Sequence, residues 1–189
     1  MSQTTLWLGF HGTSVLSAGQ ILSSTFKVSA AADDWLGSGA YFFVEGDGVE
    51  APLEKASSWA VSRARSAKPR YTFYSVLEAH ISTPVYLDLD NTEHIAALNE
   101  IRRHYMGIMK QQGKRPSGNR LIEKCNFCNF VMHEHGVDAL IRREYIKTTD
   151  DEMDFGFDGG VSNCRILCLK DPVKSILQIG YAVDRRRVT

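Results

Sequence analysis

The sequence predicts an α+β fold in a single domain. Short β-branched and aromatic runs mix with amphipathic stretches, without the regular βαβ alternation of a doubly wound sheet. The chain has 189 residues, 43% hydrophobic and 23% charged, enough to bury a full core without disulfides or metals. No internal repeat and no linker divides it, so residues 1–189 read as one unit.

Residues 6–10, Leu-Trp-Leu-Gly-Phe, are an apolar run and predict a buried strand that ends at His11 and Gly12. Thr13 or Ser14 caps a helix whose inner face carries Val15, Ala18, Ile21 and Leu22. Residues 23–34 have no period and predict a loop, after which Gly37 and Gly39 turn the chain into a strand over Ala40–Val44. Past a second loop at 45–52, Leu53, Ala56, Ala60 and Ala64 recur at helical spacing over 53–65, with Trp59 beside them. The basic turn at Lys68, Pro69 and Arg70 leads to strands over 71–81 and 85–89. Thr92, with Glu93 close behind, opens a helix over 92–109, and 111–119 form a loop. Leu121, Ile122, Cys125, Cys128, Met132 and His135 share one face of a helix over 120–135, which Gly136 stops. Strands follow at 137–145, 163–169 and 176–183, with Asp171 and Pro172 breaking the last two apart. Residues 150–160 hold five acidic residues, three glycines and two phenylalanines, which predicts a mobile loop.

Lys plus Arg and Asp plus Glu are equal at 22 each, so no global field draws the protein to nucleic acid or to membrane. Basic clusters occur at Arg63, Arg65, Lys68 and Arg70, at Lys114 and Arg115, and at Arg185, Arg186 and Arg187. Together they could form a local track for nucleic acid; singly each reads as solvated surface, and the last as a solvated tail. The absence of a signal pattern and of any membrane-length apolar run points to a cytoplasmic protein with reduced thiols. Cys125 and Cys128 have CxxC spacing with His133 and His135 nearby. Both cysteines fall on the apolar face of one continuous helix, where free cysteine packs as a small hydrophobe, so core packing rather than a metal site is expected. Gly37-Ser38-Gly39 lacks the further residues of a dinucleotide or P-loop fingerprint and reads as a plain turn.

The candidate site lies between Gly9 and Phe43, where a histidine stands beside a glycine and an aromatic triplet follows a glycine turn. Backbone approaches a ligand closely at glycine, and an aromatic ring offers a stacking face, which suits a flat, polar ligand.

The order His11-Gly12-Thr13, then Trp35-Leu36-Gly37-Ser38-Gly39-Ala40-Tyr41-Phe42, then Lys55-Ala56-Ser57-Ser58-Trp59-Ala60 resembles the NAD-binding core of ADP-ribosyltransferases. The likeness is to the poly(ADP-ribose) polymerase-like branch and its small bacterial toxin-like members. It implies split antiparallel sheets with flanking helices around an NAD cleft. It further implies an NAD⁺-dependent mono-ADP-ribosyltransferase with NAD⁺ as co-substrate and no metal. Such an enzyme would be a toxin or defence effector, with a protein or nucleic acid as acceptor and an antitoxin or inhibitor protein as partner. By the same resemblance His11 hydrogen-bonds the nicotinamide-side ribose, Gly12 presents its backbone to the carboxamide, and Tyr41 stacks on the nicotinamide. Trp59 forms a second aromatic wall, Ala56 or Ser57 lines the nicotinamide, and Thr13, Ser29 and Gly39 complete the NAD contacts.

Many relatives carry a glutamate on a late strand. Residues 162–169 contain no carboxylate, and Asn163 and Arg165 are the polar residues of one side of that strand, so Arg165 is the candidate for the third catalytic position. A glutamate-free strand agrees with transfer of one unit rather than chain elongation. Two rival readings remain: an NAD glycohydrolase using water, and a non-catalytic module that binds NAD⁺ or ADP-ribose. The acidic loop at 150–160 is expected to lie near the pocket.

Overall fold

The structure, a computed structural model, describes residues 5–149, 152–153, 156 and 160–188. The elements are β1 (Thr5–Ser14), α1 (Val15–Ser23), β2 (Ala40–Val44), α2 (Pro52–Ser66), β3 (Phe73–Thr83) and β4 (Tyr86–Asp88). There follow α3 (Thr92–Gln111), α4 (Arg120–Glu134), β5 (Ala139–Glu144), β6 (Cys164–Leu169), α5 (Pro172–Ser175) and β7 (Ile176–Arg187). Seven strands form one sheet in the order β4-β5-β6-β2-β1-β3-β7. β4 and β5 run parallel and every other neighbouring pair runs antiparallel.

The α+β expectation therefore holds, but the sheet is single and mixed rather than two separate antiparallel sheets. Its weakest seam is in the middle. β1 meets β2 only through Gly9↔Val44 and Phe10↔Phe43, whereas β1 pairs with β3 from Thr5↔Thr83 to Ser14↔Tyr74. β1 thus runs on to Ser14, past the predicted end at His11 and Gly12, because residues 11–14 find a backbone partner in β3 after leaving β2. Buried backbone groups must be paired somewhere.

Local chemistry sets the helix boundaries. Ser14 accepts from the N–H of Ser17 and caps α1, while Asn91 and Asn119 cap α3 and α4 with two N–H acceptances each. Pro52 starts α2, where a missing N–H costs nothing. Gly136, at φ 63°, follows the C-cap of α4 as predicted.

Each face of the sheet carries its own apolar cluster. One includes Phe10, Phe43, Val76, Ile166 and Cys168 with Ala56 and Ala60 of α2 and Cys128, Val131 and Met132 of α4. The other includes Phe42, Val44, Ala79, Ile81, Ile141 and Leu167 with Phe26 from the 24–39 segment. Cys125 and Cys128 are buried on α4, and burial pushes the Cys128 thiol up to about 12, which fits the packing role. His135 sits exposed beside Phe130 and His104 instead of on the buried face. Lys55, which the sequence did not single out, is buried and donates to Glu50 Oε1 (3.1 Å) and Thr148 Oγ1 (3.2 Å).

Arg185, Arg186 and Arg187 are not a free tail. They continue β7, with Tyr74↔Arg186 and Phe73↔Arg187 paired across the ladder. Seven residues of the 150–160 loop lie outside the described residues. Among the described residues no helix is long and apolar enough to cross a membrane.

Gly12 is fixed by packing. A Cβ there would fall 1.8 Å from the carbonyl oxygen of Ala56, so α2 lies flat on β1 only because no side chain intervenes. Gly12→Ala is expected to lower unfolding free energy by about 1–3 kcal/mol through overpacking, measured as a reduced urea midpoint with unchanged slope. An unaltered midpoint would show that α2 does not rest on this glycine.

Candidate functional site

Where β1 and β2 part, a cleft of about 670 Å³ opens, within the ordinary range for small-molecule sites. His11, Gly12 and Thr13 line it from β1, Tyr41, Phe42 and Phe43 from β2, and Trp59 and Arg63 from α2. Ser29, Asp34, Trp35 and Gly39 close it from the intervening loop. Among the described residues the separation that creates the cleft is spanned by one side-chain hydrogen bond: His11 Nδ1 lies 2.8 Å from the backbone oxygen of Tyr41. A carbonyl oxygen only accepts, so Nδ1 carries the proton and donates. That assigns the tautomer and leaves Nε2 of the neutral ring as an acceptor. Phe26 stands edge-on to the imidazole at 5.1 Å between ring centres. Burial lowers the pKa of His11 below its ordinary value, against the opposing pull of the Tyr41 carbonyl, so the ring is neutral at physiological pH.

The opposite wall is aromatic. Trp35 meets Tyr41 at 6.1 Å and Trp59 at 5.4 Å, both near edge-to-face. The Tyr41 hydroxyl is occupied: it accepts from the N–H of Leu36 (2.8 Å) and donates to the carbonyl of Gly37 (2.7 Å). Burial pushes its phenol far above the usual tyrosine range. Tyr41 thus offers its ring, and not its hydroxyl, to a ligand. The loop that carries Trp35 is held in three ways. Ser29 and Gly39 exchange backbone hydrogen bonds at 3.1 Å. Ser29 Oγ donates to the Asp34 carboxylate at 2.8 and 3.0 Å. Asn129 Oδ1, reaching from α4, accepts from the N–H of Ser38 at 2.6 Å. Gly39 is also a packing glycine, since a Cβ there would lie 2.4 Å from Cys168 Sγ.

Seven of the nine expected site residues line this cleft: His11, Gly12, Thr13, Ser29, Gly39, Tyr41 and Trp59. Ala56 does not, because it is fully buried beneath Gly12, and Ser57 donates back to the carbonyl of Leu53 (2.9 Å). Arg165 does not either. The β6 residue at the cleft is Ile166, since neighbouring residues of a strand face opposite ways. Arg165 instead bonds Asp88 Oδ2 at 2.6 Å and the Glu45 carbonyl at 3.1 Å, and lies over the Trp7 ring at 5.3 Å. These contacts belong to a second cleft, of about 610 Å³, lined by Trp7, Glu45, Asp88, Asp90 and Arg143. Asn163 bonds both backbone groups of Ile146 and is likewise structural. Phe26, Asp34 and Asn129 are cleft or loop residues that the sequence reading did not name, and Arg63, read there only as part of a basic cluster, lines the cleft as well.

No protein-family model and no curated protein matches the chain.

Two measurements probe this geometry. Tyr41→Phe keeps the ring but strands the N–H of Leu36, and is expected to cost about 1–3 kcal/mol of stability, read by chemical denaturation. For His11, the folded pKa lies below 6.5, the ordinary value, so the unfolded chain binds the proton first as pH falls. Stability is therefore expected to rise with pH up to about 6.5 and to level off above it, and His11→Gln is expected to flatten that rise. A wild-type profile without this slope would contradict the buried neutral ring.

Proposed function

We propose that the chain is an NAD⁺-dependent mono-ADP-ribosyltransferase, which breaks the nicotinamide–ribose bond and passes ADP-ribose to a macromolecule. The observation that supports this most is the His11–Tyr41 pair: one hydrogen bond places an acceptor nitrogen and an aromatic face on a single cleft. NAD⁺ supplies an activated C1′ whose leaving group departs as neutral nicotinamide. As that bond stretches, positive charge grows on the ribose, as in glycoside cleavage. His11 Nε2 accepts from a ribose hydroxyl and fixes the sugar. Its neutrality matters, since an imidazolium at that place would repel the developing charge. The Tyr41, Trp35 and Trp59 rings form the wall for a flat nicotinamide. Gly12 and Gly39 leave backbone open at the cleft, although the packing of each also forbids a side chain.

A second reading, hydrolysis with water as acceptor, is favoured by one feature. β6 brings only the apolar Ile166 to the cleft, so that strand supplies no carboxylate to orient an acceptor.

Incubation with NAD⁺ labelled in its adenylate half separates the readings. Label moving to a macromolecule supports transfer, and free ADP-ribose supports hydrolysis. NAD⁺ that stays intact leaves a binding module and removes the enzyme reading. His11→Ala and Tyr41→Ala are each expected to lower NAD⁺ consumption about 100-fold or more. Arg165→Met is expected to lower thermal stability, by leaving Asp88 unpaired, with turnover within twofold of wild type. Loss of turnover in the Arg165 variant at full stability would return that residue to the site.

A further inference from the structure

Three stretches distant in sequence bring basic residues to one corner of the molecule. α2 ends with Arg63 and Arg65 in its last turn, the following turn carries Lys68 and Arg70, and β7 ends in Arg185, Arg186 and Arg187. Two bonds and the strand register hold these stretches together. Tyr71 Oη donates to the Ala60 carbonyl at 2.7 Å. The N–H of Val188 donates to the Thr72 carbonyl at 2.9 Å. Phe73 and Tyr74 pair with Arg187 and Arg186. All seven basic side chains are exposed. Among the described residues Arg63, Lys68, Arg70, Arg185, Arg186 and Arg187 make no salt bridge. Asp184 is the single acidic residue within 63–72 and 181–188.

This corner adjoins the cleft. Thr13, in the cleft wall, pairs with Ser75 of β3, and Ser75 Oγ accepts from the N–H of Arg185 at 3.2 Å. The basic end of β7 therefore stands two strand spacings from the cleft wall, about 10 Å, at the same end of the sheet. Arg63 bridges the interval: it lines the cleft, with its guanidinium 5.5 Å from the centre of the Trp59 ring. Arg185 lies 4.7 Å from the centre of Phe73, a large aromatic left 36% exposed.

We propose that this corner binds a single-stranded polynucleotide, RNA or DNA, and presents one of its nucleotides to the cleft as the acceptor. The proposal rests on the transferase reading of that cleft. Cationic side chains interleaved with exposed aromatic rings are the arrangement that holds single strands, by phosphate neutralisation and base stacking together. A duplex keeps its bases stacked and out of reach of an enclosed site. The nucleotide's oxygen or nitrogen forms the new bond to ribose C1′ as the bond to nicotinamide breaks with its electron pair. The nucleophile's proton passes to solvent.

The test separates binding from chemistry. Fluorescence anisotropy without NAD⁺ uses labelled 20-nucleotide oligouridylate, oligodeoxythymidylate, a 20-base-pair duplex and a polyglutamate peptide as probes. The single strands are expected to bind more tightly than the duplex and the peptide, and the two single-strand arms show whether RNA or DNA is preferred. The triple variant Arg70→Glu, Arg186→Glu, Arg187→Glu is expected to bind at least tenfold more weakly, with a salt slope shallower by about 2. The matching Lys triple variant is expected to retain most of the binding. In a parallel assay with labelled NAD⁺, label is expected on the oligonucleotide with wild type and much less with the Glu variant. NAD⁺ hydrolysis by that variant, read without acceptor, is expected to stay at the wild-type rate and so reports an intact fold. Oligonucleotides that do not bind, bind the Glu variant equally well, or bind no better than polyglutamate overturn the proposal. Label appearing only on protein does the same and leaves a protein acceptor. Strand binding lost in the Glu variant, beside wild-type protein that leaves NAD⁺ intact, keeps the binding surface but overturns its role in delivering an acceptor. In that case the transferase reading fails too.

Discussion

A single histidine side chain takes the place of a strand ladder. β1 and β2 share two residue pairs and then separate, and the next contact between them is the Nδ1–H of His11 on the Tyr41 carbonyl. Separating two strands inside a sheet exposes backbone groups that need partners. β1 solves this by continuing along β3, and β2 by pairing with β6 through Tyr41↔Cys168 and Ala40↔Leu169. The gap left between them is the cleft. The contact that spans the gap also fixes the tautomer of the one imidazole in it, so architecture and site chemistry share one hydrogen bond.

The glycines around the cleft illustrate why motif residues need two explanations. Gly12 and Gly39 sit where a close-fitting ligand would want bare backbone, yet a Cβ at either would strike Ala56 or Cys168 and Leu169. Both demands act on the same atoms. The Tyr41 hydroxyl shows the complementary case: it is committed to the Leu36 N–H and the Gly37 carbonyl, so it shapes the turn that its own ring helps to wall. Close packing of this kind keeps the walls of a site in place before a ligand arrives.

Charge is sorted across the length of the sheet although it sums to zero in the sequence. At one end, Glu45, Asp47, Asp88 and Asp90 gather with Arg143 and Arg165 around the second cleft. At the other end stand the arginines of α2 and β7. A formal net charge reports neither concentration, because a field falls off over about 8 Å at physiological salt and is set by neighbours in space.

Sequence alone determined much of this protein. The helix starts near Ser14, Thr92 and Arg120, the stop at Gly136 and the buried cysteines of α4 all follow from local spacing and side-chain chemistry, which act within a turn or two of helix or strand. Tertiary structure decided what depends on partners far along the chain. It made one mixed sheet with a central seam in place of two sheets, and it turned Ile166 rather than Arg165 toward the cleft. It buried Ala56 under Gly12 and drew the C-terminal arginines into β7 beside α2. Strand order, register and the face a residue presents are set by which distant segments pair, and a one-residue change of register reverses every side chain on a strand. Local pattern carries no record of that choice.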